Sequence, residues 1–140
     1  MKFSAVSLSK NLHLLVSAAI VVPVGIIYGS PDLLPAFFDI SVQTTDVANM
    51  LKANMVLYLG ASGVWILGMI KPTVWQRATE LNVLFMLTLA SGRMLSMVTD
   101  GLPSGGYIFG VIAELAIGLY AVKQLQQHYS NFARKAAHGS

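Results

Sequence analysis

Four apolar runs, each long enough to cross a bilayer and parted by short polar breaks, leave this chain very few folds. They cover about residues 12–28, 46–70, 74–98 and 106–127. Roughly 20 apolar residues span the hydrocarbon core as a helix. A backbone in lipid must satisfy its own N–H and C=O groups, so only helices and closed barrels can cross. Runs of this length predict helices, and four of them predict an all-α fold: a four-helix transmembrane bundle, antiparallel and up-down, folded as one domain over 1–140. Composition agrees, since 55% of the 140 residues are hydrophobic and only 11% are charged, against about a quarter charged in soluble domains.

In chain order, a short polar lead carrying Lys2 and Lys10 precedes the first run. A basic start before an apolar stretch also describes a signal peptide. This run is long and no small-residue cleavage site follows it closely, so a retained first helix is expected, kinked by Pro23 and Gly25. Residues 29–45 hold two prolines, two aspartates and the pair Phe37 and Phe38. They read as an outer loop with a short amphipathic turn, its phenylalanines dipping into the interface or packing over the bundle mouth. The second helix starts at a Thr45/Asp46 cap and ends at Lys71-Pro72. It carries Asn54, Tyr58 and Ser62 at four-residue spacing, on one face, and Gly60, Gly63 and Gly68 as small surfaces for close helix approach. Beyond the fourth run, residues 129–140 read as a basic, flexible tail.

Basic residues give the orientation. With four spans, Lys2, Lys10, Lys71, Arg77, Lys123, Arg134 and Lys135 fall on one side, while Lys52 is the only base near the other, which collects Asp32, Asp39, Asp46 and Asp100. The positive-inside bias puts both termini in the cytoplasm.

Within this frame two charges stand out. Arg93 and Glu114 interrupt the third and fourth runs, and a charge at membrane depth costs a few kcal/mol unless it pairs or lines a wet cavity. The breaker-rich turn Thr99-Asp100-Gly101-Leu102-Pro103-Ser104-Gly105 folds these helices back as a hairpin. If it centres near Leu102, Arg93 lies level with Val111 and about 4.5 Å from the level of Glu114, an offset an Arg side chain spans. Arg93, Ser96 and Asp100 share a face of the third helix. On the fourth, Gly106, Gly110, Glu114 and Gly118 repeat every four residues, opening a concavity around the carboxylate. Adding Asn54, Tyr58 and Ser62 gives a polar pocket that opens outward under the Pro31–Ile40 loop.

Each signal also has a plainer meaning. Arg93 with Glu114 reads equally well as an ion pair that fixes helix register, the glycines as a packing face, and the Asn54, Tyr58, Ser62 stripe as interhelical hydrogen bonding. Phe37, Phe38, Trp65, Trp75 and Tyr107 read as interfacial anchors or packing. Enzyme signatures such as HExxH, GxSxG, a P-loop or a dinucleotide fingerprint are absent from the sequence, so an enzyme is not the leading reading, although catalysis with Glu114 as general base and Arg93 as anion clamp stays open. His13, His128 and His138 are too dispersed for a metal or haem site, there is no cysteine, and scattered bases without interleaved aromatics exclude nucleic acid.

The segment Gly92-Arg93-x-x-Ser96, then Asp100-Gly101-x-Pro103, then Glu114 with Gly118 resembles an uncharacterised bacterial family of small four-helix integral membrane proteins, known as a domain of unknown function. The resemblance covers all four spans and implies a multi-pass protein of the bacterial inner membrane, with no established activity, cofactor or substrate. The expected function is binding of a lipid or other amphipathic molecule, with Arg93 meeting an anionic head group. Two other classes fit the same residues: a proton- or cation-coupled transporter or channel subunit using the Arg/Glu pair, and an accessory or scaffold subunit. The partners implied are the lipid bilayer, an amphipathic ligand, and a homo-oligomer or larger membrane complex.

Overall fold

The computed structural model describes residues 5–138; the lead through Ser4, with Lys2, and the last two residues lie outside the described residues. The described residues form five helices and no strand: α1 (Ala5–Gly29), α2 (Leu34–Phe37), α3 (Thr45–Ile70), α4 (Pro72–Thr99) and α5 (Gly105–His138). Four of these contain segments of 21 to 30 residues that are apolar enough to cross a membrane, and at about 1.5 Å per residue each spans roughly 30 Å or more.

The helix ends follow from local chemistry. Thr44 caps α3, its hydroxyl accepting from Val47 N–H at 3.3 Å, one residue before the predicted cap. Lys71 alone joins α3 to α4, because its extended backbone ends one helix and Pro72 starts the next at a position where its missing N–H costs nothing. Asp100 closes α4, and Gly101 turns the chain at φ +102°, a conformation that a side chain disfavours. α5 runs on through His138 instead of giving way to a tail near Gln127. The segment is polar, but it holds no Gly or Pro and carries Ala133, Arg134, Lys135, Ala136 and Ala137, all good helix formers.

Contacts set the helices antiparallel. Leu14 of α1 lies beside Gly68 of α3, and Gly25 beside Tyr58. Trp65 of α3 meets Phe85 of α4 with centroids 5.3 Å apart. Leu87 of α4 packs on Gly118 of α5, and the Tyr129 hydroxyl donates to Glu80 at 2.6 Å. α1 packs chiefly on α3 and α5 chiefly on α4, and α1 and α5 touch less extensively. Buried positions on each helix recur at three- and four-residue steps, as with Leu51, Tyr58, Ala61, Trp65 and Gly68 on α3. The opposite faces are apolar too, with Val56, Leu57, Leu84, Leu95, Ile112 and Leu119 all exposed. Such a surface is matched to hydrocarbon, not water.

Charge separates by end. Lys10 sits over Trp75 at 4.1 Å, the Tyr120 hydroxyl donates to Ser9 O at 2.9 Å, and Trp75 lies 5.0 Å from His128. The start of α1, the α3–α4 junction and the later part of α5 therefore share a basic end. Asp32, Asp39, Asp46 and Asp100 lie in the connections and helix ends at the other, acidic end.

Candidate functional site

Toward the acidic end, Arg93 Nη1 meets Glu114 Oε1 at 3.1 Å. The hairpin turn brings them together, and Gly110, one turn before the carboxylate, leaves the space that the guanidinium occupies, since a Cβ there would collide with Arg93 Nη1. Both side chains are largely buried, at 17% and 10% exposed. Glu114 Oε2 is buried and has no hydrogen-bond partner among the described residues. Arg93 also lies 5.1 Å from the ring of Tyr107, an arrangement that favours a cation.

An aromatic column runs down from this level. Phe38 packs against Tyr107 at 4.9 Å and Tyr28 at 5.5 Å, Tyr28 against Tyr58 at 5.6 Å, and Tyr58 against Phe85 at 5.2 Å. The Tyr28 hydroxyl donates to that of Tyr107 at 3.2 Å, tying α1 to α5 where the two helices otherwise touch little. Beneath that tie a cavity of about 130 Å³ opens between α1 and α5. Ile20 and Val24 form one wall and Phe109, Ala113 and Ile117 the other, with Tyr58, Arg93 and Glu114 as the polar groups. On the far side of Arg93 an open recess of about 220 Å³ is lined by Ser96, Pro103 and Tyr107. The guanidinium thus borders both spaces.

Of the residues singled out in the sequence, Arg93, Glu114 and Tyr58 line one cavity. Ser96 belongs to the outer recess and donates to Asp100 Oδ2 at 2.9 Å, a local exposed contact that leaves Asp100 outside the cavity. Asn54 is half-buried and does not line it. Ser62 is buried away from it, its hydroxyl without a partner among the described residues. The walls are mainly apolar, not the polar pocket expected. Phe38 does cover the bundle mouth, lying 3.6 Å from where a Cβ on Gly106 would sit, whereas Phe37 is 59% exposed.

A second polar cluster, not foreseen, lies toward the basic end. His13 Nε2 pairs with Thr79 Oγ1 at 3.1 Å, Thr79 donates to Trp75 O at 2.9 Å, and Asn82 Nδ2 donates to Ser17 Oγ at 2.7 Å. His13, Ser17, Thr79 and Asn82 are all essentially buried, so they tie α1 to α4 through hydrogen bonds. Their signal was present as the pairs His13/Ser17 and Thr79/Asn82 at helical spacing. Along α4, the apolar Phe85 and Met86 lie between Asn82 of this cluster and Arg93. Among the described residues no three His, Cys, Asp or Glu side chains converge as a metal site would require.

A family model described as Domain of unknown function (DUF4345) matches residues 9–124. No curated protein and no solved structure matches the chain.

Proposed function

The chain belongs to this family of unknown function, and we propose that it is a small binding protein of the bacterial cytoplasmic membrane, both termini inside, that holds an amphipathic molecule in the cavity between α1 and α5. One observation carries the reading: a cavity of about 130 Å³ with apolar walls and a single guanidinium–carboxylate pair among its lining groups. Sites for small amphiphiles have this character, mostly apolar with a few polar groups that fix orientation. Because Glu114 offsets the charge of Arg93, the site suits a neutral or zwitterionic head better than the anionic one expected from Arg93 alone. The basic end would face the cytoplasm and the cavity would lie in the outer half of the bilayer. The apolar layer of Met86 and Phe85 between the two polar clusters favours binding over conduction.

The test is saturable binding of radiolabelled decanol, a neutral single-chain amphiphile, to protein in phosphatidylcholine nanodiscs. Arg93→Ala, which removes the polar anchor, is expected to weaken it roughly tenfold or more, and the surface change Lys123→Ala to leave it intact. Equal binding by all three proteins would sink the reading.

A further inference from the structure

Glu114 spends one oxygen on Arg93 and leaves the other buried without a donor. An unmet acceptor of this kind is costly, and the cavity beside it is where a donor could enter. On the footing of the binding reading above, we infer that the occupant is a ring-headed membrane amphiphile, a long-chain hydroquinone or phenol, whose hydroxyl donates to Glu114 Oε2.

Size selects the ring. The cavity measures about 130 Å³, and apolar cavities of roughly 150 Å³ hold one benzene molecule. A phospholipid head with two chains does not fit that volume. Phe109, Phe38 and Tyr58 border the space, offering edges and faces to an aromatic head, and the Arg93 guanidinium can lie against a ring face. The chain of such a molecule leaves through the sparsely packed seam between α1 and α5, past Ile20, Val24 and Ile117, all apolar and half-buried.

Charge selects the head. A fatty acid would bring a second carboxylate beside Glu114, with only one guanidinium to share. A neutral hydroxyl instead supplies the missing donor and adds no charge. An oxidised quinone has carbonyls that could accept from Arg93 but no proton for Glu114, so the site prefers the reduced form.

The full-length protein in phosphatidylcholine nanodiscs is titrated with decylhydroquinone, its dimethyl ether and decanoic acid, with bound ligand counted after separation. The hydroquinone is expected to saturate at about one per chain and to bind roughly tenfold or more tightly than the ether, because a site built around a hydroxyl rejects an analogue without one. Ala113→Leu, which fills the cavity without touching the ion pair, should abolish binding, and Glu114→Gln should weaken it. If Glu114→Gln fails to fold, the comparison of hydroquinone with ether on the unaltered protein decides alone. Equal binding of those two, or binding that survives Ala113→Leu, overturns the inference. Decanoate or decanol bound in place of the hydroquinone overturns it too but leaves the binding reading standing, whereas retention of no probe overturns both.

Discussion

At Arg93 a guanidinium in a helix apolar enough to cross a membrane, costly in lipid if left alone, is set against the carboxylate of Glu114 at 3.1 Å. Breaking such a pair by removing one partner leaves the other charge buried, so Arg93→Met or Glu114→Leu alone should cost about 3 kcal/mol, and the double substitution should restore most of that loss. Unfolding in mixed micelles measures the cycle, and additive losses would show that the two groups are not coupled. The pair was legible in the sequence because a charge in an apolar run is conspicuous. Asn54 and Ser62 were placed with Tyr58 because four-residue steps share a face, yet each step drifts about 40° around a helix of 3.6 residues per turn. Over two steps the stripe winds off the cavity. His13 was weighed only against His128 and His138 as a metal ligand, and nothing in a single sequence shows that Thr79 comes 3.1 Å from its ring nitrogen.

Among elements, the α3 glycines separate into those that permit packing and those that do not. A Cβ on Gly68 would collide with that of Ala78 and lie 3.6 Å from Trp75 Cα, whereas one on Gly63 meets nothing within 4 Å. Gly68→Ala is therefore expected to destabilise by about 1–3 kcal/mol through forced separation of α3 from α4. Gly63→Ala should be neutral or gain up to about 1 kcal/mol of helix propensity. Thermal unfolding of both in one detergent checks the contrast, and similar losses would contradict it. The sequence marked all three glycines alike because spacing locates a face only to within a turn. The far end of α5 was misjudged for a related reason: the polar composition after Gln127 marks where a helix stops being apolar, not where it stops being a helix, and no Gly or Pro interrupts residues 128–138.

For the whole molecule, the four spans and their antiparallel order follow from apolar run length and short connections, the strongest constraints a sequence of this kind carries. The proposed orientation rests on the collection of bases at one end and acids at the other. Because the chain has no cysteine, single cysteines report it cleanly. Ser41→Cys and Ser104→Cys at the acidic end should react with a membrane-impermeant maleimide on intact cells, and Thr73→Cys only after permeabilisation; the reverse pattern would invert the protein. What the sequence could not supply was the apolar lining of the cavity, since that depends on which faces of α1 and α5 meet across it. Whether this space takes an amphipathic molecule is decided by native mass spectrometry of protein extracted without delipidation, comparing wild type with Ala113→Leu. A discrete co-purifying mass present in the first and absent from an equally stable second is the predicted result. The same mass retained by Ala113→Leu, or none on either protein, would contradict it.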